Sequence, residues 1–116
     1  MSRDDRDKWI DGVHVAFTYC GTDGIIRDMN PEAAATFAES GGAKLIGQSA
    51  LDCHPGDSRS KLQGLLDEHR LNVYTIEKDG RKKLIYQAPV TEGGRFIGIV
   101  EISLPIPEEI PHFKRN

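Results

Sequence analysis

The sequence predicts an α+β domain: one five-stranded antiparallel sheet, with short helices inserted between its second and third strands and lying on one face. Three observations carry this. Stretches rich in β-branched and aromatic residues stand at both ends of the chain, "VHVAFTYC" near the start and three longer ones after residue 70. Between them lie segments with helical punctuation and helical apolar spacing. The last three β stretches are linked by short turns, at Asp79-Gly80 and at Gly93-Gly94. Such short links join neighbouring antiparallel strands.

Taken in order, residues 1–12 are charged, with Trp9 and Ile10 at the end. They read as a short helical cap whose two large apolar residues must cover something else. Val13–Cys20 is the first strand. Thr22-Asp23-Gly24 is turn chemistry, and Ile25–Asp28 returns as the second strand of a hairpin. "MNPEAAATFAESGG" opens a helix: Asn30 caps the free amides, Pro31 fits the first helical position and Glu32 suits the positive end of the dipole. Ala33, Ala34, Phe37 and Ala38 form its narrow apolar face. "AKLIG" and "SALDC" read as single turns. A second, longer helix runs from Ser58 to about His69, with Leu62, Leu65, Leu66 and His69 at i, i+3, i+4 and i+7. Residues 71–78, 81–90 and 95–104 complete the meander.

Composition narrows the function. The chain has 116 residues, one domain's worth, with 38% hydrophobic residues and a formal net charge of −3. No basic stripe interleaved with aromatics marks a nucleic-acid footprint or an anionic membrane surface. No apolar run approaches the ~20 residues that span a bilayer, and the charged N-terminus lacks a signal-peptide core. The expectation is a cytoplasmic protein, in which Cys20 and Cys53 stay reduced.

Several stretches together resemble the PAS domain family of sensory modules: "TDGIIRDMNPEAA", "KLIGQSALDCHP", "IEKDGRKKLIYQAPV" and "GRFIGIVEIS". The resemblance extends over residues 13–104, leaving 1–12 as the cap and 105–116 as a proline-rich tail. Many PAS domains leave the last strand through an aspartate-isoleucine-threonine triplet into a signalling helix. Here the exit reads "EISLPIPEEIPHFKRN", and Pro105, Pro107 and Pro111 forbid a continuous helix. If the 116 residues are the whole protein, a stand-alone or partner-binding role follows.

The resemblance implies a sensory or signal-transduction module without catalysis, binding a small ligand or a signalling protein. Its pocket would lie between the inner sheet face and the long helix. Leu62, Leu65 and Leu66 would form one wall, and Thr75, Ile85, Gln87, Gly98 and Val100 the other, with Thr75 and Gln87 orienting the ligand. Two alternatives stand beside it. One is a haem- or metal-dependent gas or redox sensor, using His69 near the position of the family's haem ligand, or Cys53 with His54. The other is a small enzyme in the same shell. Against the first, adjacent residues such as Cys53 and His54 diverge and seldom converge on one ion. Cys53 also reads as a small buried apolar residue and His54-Pro55 as a turn into the helix. The cysteine motif of the flavin-binding branch is absent. No paired carboxylates, phosphate loop or Ser/His/Asp set is placed by spacing. Finally, Tyr74, Ile76, Leu84, Tyr86 and Ile99 are expected on the outer sheet face, where together with Trp9 and Ile10 they would form a homodimer.

Overall fold

A computed structural model of the chain describes residues 8–52 and 56–116. Cys53, His54 and Pro55 lie outside the described residues, as does the N-terminal part of the cap. Helix α1 is Lys8–Gly12, followed by strands β1 (Ala16–Gly21) and β2 (Ile26–Met29). Helix α2 (Pro31–Thr36) gives way to two 3₁₀ turns, Ala38–Ser40 and Gly42–Leu45. Helix α3 is Gly56–Glu68, and β3 (Asn72–Lys78), β4 (Arg81–Glu92) and β5 (Arg95–Pro105) close the chain. The strands form one sheet in the order β2-β1-β5-β4-β3, every described pairing antiparallel. The expected α+β architecture is therefore the observed one.

Helix α2 is shorter than its spacing predicts. Pro31 and the Asn30 cap start it as expected, but the cap at its far end is Phe37. The Gly42 amide then donates to Phe37 O, and the chain turns at Gly41 and Gly42, both with positive φ. A Cβ on Gly42 would sit 3.1 Å from Ala34 O, so the glycine lets this turn pack against α2.

The core lies between the sheet and the helices, at the β2-β1-β5 side. Ala16, Cys20, Ile26, Met29 and Ile99 from the strands meet Ala33 of α2 and Leu62, Leu65 and Leu66 of α3. The outer edge of β2 is covered by residues 47–50: Gly47 N donates to Ile26 O, Ile26 N to Gln48 O, and Ala50 N to Gly24 O. The opposite edge, β3, has no such cover among the described residues, and every residue from Val73 to Lys78 is exposed. Among the described residues the sheet is thus covered at one edge and uncovered at the other.

Register assigns the faces, because directly opposed residues of an antiparallel pair share one face. The inner face carries Thr18, Glu101, Gln87 and Asn72 as one row across β1, β5, β4 and β3. A neighbouring row is Ala16, Ser103, Ile85 and Tyr74. This corrects the expected faces in two places. Lys78 pairs with Arg81 across the two-residue turn, so Tyr74 opposes Ile85 while Thr75 opposes Leu84. Tyr74 and Ile76 therefore face inward, and Thr75 faces out. On β5 the register slips between Val90 and Thr91: Thr91 opposes Phe96, but Val90 opposes Gly98. One extra residue in β5 flips every side chain beyond it. Ile99 therefore points inward, while Gly98 and Val100 belong to the outer face.

Gly98 is what allows this bulge. Its φ is +148°, and a Cβ there would lie 2.0 Å from the backbone oxygen of Cys20. The carbonyl of Ile97 accepts the Tyr19 hydroxyl at 2.5 Å. An extra strand residue has no partner in the ladder, and a side chain supplies one here.

Candidate functional site

Between the inner sheet face and the helical layer the structure leaves a cavity of about 190 Å³. Cys20, Ile26, Met29 and Ile99 form its sheet side, and Leu62 of α3, Leu45 and Ala50 close it. Phe37 and Ser40 border its other side. The polar groups come mainly from one row of the sheet: Thr18, Glu101 and Gln87. An apolar volume with a few convergent polar groups is the usual form of a small-ligand site.

Those polar groups are held by each other. Asn72 Nδ2 donates to Gln87 Oε1 at 2.8 Å, which turns the Gln87 amide so that its Nε2 donates to Glu101 Oε1 at 2.7 Å. Gln87 is buried and Glu101 half-buried. The register makes this relay possible, since it brings all three residues opposite one another. Cys20 is buried in the cavity wall, and burial pushes its thiol pKa up from the ordinary value. A neutral thiol is a small apolar lining group, not a nucleophile. Burial also raises the phenol of Tyr74, with the Glu101 charge adding to it.

Of the residues singled out in the sequence, the structure brings Leu62 and Gln87 to the cavity. Ile85 lines an adjoining cleft of about 260 Å³, which also includes Tyr74, Phe37 and Glu101. Leu65 and Leu66 are buried behind the wall, in the core. Thr75, Gly98 and Val100 lie on the other side of the sheet, for the register reasons above. His69 is exposed just past the end of α3, with φ +54°, and its ring stacks on Phe96 at 3.6 Å between centroids. It thus stacks over the strand and does not line the cavity. Among the described residues, no group of three or more His, Cys, Asp and Glu side chains is placed to hold a metal. Sequence reasoning missed Thr18, Met29 and Glu101; Thr18 and Glu101 stand on strands it had identified, but only the register shows which way they point, and Met29 lies one residue past the expected end of the second strand.

No protein-family model matches the sequence, and no curated protein matches it. Solved structures do. The C-terminal domain of a protein from Streptococcus mutans superposes with a TM-score of 0.72 at 18% identity, over 90% of this chain and 85% of that one. The Aer2 receptor from Vibrio cholerae, a dual PAS-haem oxygen sensor, gives 0.66 at 15% identity, over 84% of this chain and 99% of that one. The PAS domain of BvgS from Bordetella pertussis gives 0.64 at 18% identity, over 90% and 89%. Agreement over nearly the full length of several PAS domains, with the sheet order and helical insertion described above, settles the architecture. This chain has the PAS fold.

Proposed function

We propose that this chain is a sensory or interaction module that binds a small apolar-to-amphipathic ligand in the cavity on the inner sheet face. The observation that carries this reading is the cavity itself. It has an apolar wall, a volume of about 190 Å³, and a polar row pre-oriented by the Asn72–Gln87–Glu101 relay. Ligand occupancy would be felt by α3 through Leu62, by the Phe37–Ser40 segment and by the 3₁₀ turn Gly42–Leu45 through Leu45, helical elements that touch both the cavity and the rest of the core. Haem ligation by His69 has less support, because that ring is stacked on Phe96 away from the cavity.

Self-association through the outer face belongs to the same reading. The corrected register puts Phe17, Ile102, Tyr86 and Val73 in one apolar row across it, and Val73 and Tyr86 are exposed. Trp9 of α1 is 62% exposed and is a fitting anchor for an interface.

Native mass spectrometry of the protein as isolated tests the ligand reading. The expected result is an excess mass released on denaturation. Ala50→Leu, which adds bulk at the cavity wall, should abolish it. An empty protein whose thermal stability is also indifferent to small apolar probes would overturn the reading.

A further inference from the structure

We propose that the ligand is a small amphipathic cation: an amine on an apolar body of about one ring, with its ammonium group held by Glu101. This rests on the cavity being a ligand site, as argued above.

Glu101 is the only charged side chain among the described residues that line the cavity. The rest of the lining offers apolar groups, hydroxyls, a thiol and one amide. A carboxylate on such a surface is costly unless it is paired. Here it is half satisfied. One oxygen accepts the Gln87 amide, and among the described residues no Lys, Arg or His forms an ion pair with it. The cations of this face are Lys83 and Lys78, which line the adjoining cleft toward the β3–β4 turn; Lys83 is four residues from Gln87, or about 13 Å along the strand. The amide relay also fixes the carboxylate without neutralising it. Gln87 Oε1 is occupied by Asn72, so its N–H groups face Glu101.

Position adds to this. Glu101 borders both the cavity and the adjoining cleft beside Tyr74 and Ile85. Its charge reaches both sides, contributing to the raised pKa values of Cys20 in the cavity and Tyr74 in the cleft. A cationic head at this mouth keeps part of its hydration while an apolar body enters the pocket. Size bounds that body. A dry cavity of about 150 Å³ holds one benzene, so about 190 Å³ admits a ring with a short arm. An anionic head at the cavity mouth would face the Glu101 carboxylate, since the two lysines of the cleft, Lys78 and Lys83, lie toward the β3–β4 turn.

Calorimetric titration of the whole chain with three matched probes decides the matter: phenethylamine, its neutral analogue 2-phenylethanol, and 3-phenylpropanoate. The amine should bind at least tenfold more tightly than the alcohol, and the acid should not bind. In Glu101→Gln the amine should fall to the affinity of the alcohol, while the alcohol is unchanged. The wild-type comparison stands even if that variant fails to fold. Saturable binding of alcohol and amine with equal affinity would overturn the cation inference and leave the cavity reading intact. Failure of both probes to bind, with no shift of the Ile99 or Met29 methyl resonances, would overturn the two together.

Discussion

Asn30 does more than cap a helix, and a pair of substitutions separates its roles. Its side chain is 2% exposed and makes four hydrogen bonds. Oδ1 accepts from Ala33 N at 3.0 Å, which is the helix cap, and from Phe17 N at 2.9 Å in β1. Nδ2 donates to Ile10 O in α1 and to Val15 O just before β1, both at 2.8 Å. A cap alone is worth about 0.5–2 kcal/mol. Four bonds at about 0.5–1.5 kcal/mol each give roughly 2–6 kcal/mol, before allowing for rehydration of the exposed partners. We expect Asn30→Ala to cost about 3 kcal/mol, lowering Tm by about 12 °C in a domain of this size. Asn30→Asp is the sharper test. Aspartate is as good a cap as asparagine and keeps both acceptor bonds, but it turns an oxygen onto the carbonyls of Ile10 and Val15. It should therefore be at least as damaging as alanine. The assay is equilibrium urea unfolding followed by circular dichroism. If Asn30→Asp falls within about 0.5 kcal/mol of wild type, the two bonds donated to Ile10 and Val15 contribute nothing and the reasoning fails.

Other expectations follow from the same geometry. Gly98→Ala places a Cβ against the Cys20 carbonyl, so it should cost about 3 kcal/mol or more, or prevent folding, as thermal unfolding would show. Leu65→Ala removes a fully buried side chain and should cost about 2–5 kcal/mol by the same measurement. Cys20 should resist Ellman's reagent at pH 8 in the native state and react on unfolding. Because burial raises its folded pKa above the ordinary 9.0, its contribution to stability is present below that pH and is lost as pH rises past it. Trp9→Ala with Ile10→Ala should weaken a homodimer seen by analytical ultracentrifugation; a wild-type monomer at about 100 μM would refute the outer-face assignment.

The element order was legible because local chemistry dictates it: Asn30-Pro31 starts a helix, Asp79-Gly80 turns a hairpin, and the leucines of α3 repeat at helical spacing. Facing was harder. The β3 register was in principle readable, since a two-residue turn pairs Lys78 with Arg81 and so places even residues of β3 beside odd residues of β4. The β5 register could not be counted from its turn, because the bulge before Gly98 intervenes. A lone glycine within a β-branched strand was the available signal. Glu101 escaped notice for that reason: counted from the Gly93-Gly94 turn, it falls on the outer face, where a charged residue asks for no explanation.

The cavity on the inner face is the centre of the account, and methyl NMR under xenon pressure tests it most directly. Xenon enters apolar cavities of this size without needing any specific polar contact. The account predicts saturable shifts at Ile26, Met29, Leu62 and Ile99, with Leu84, Val100 and Ile102 on the outer face unmoved. Unmoved inner-face methyls, or shifts confined to the outer face, would contradict it.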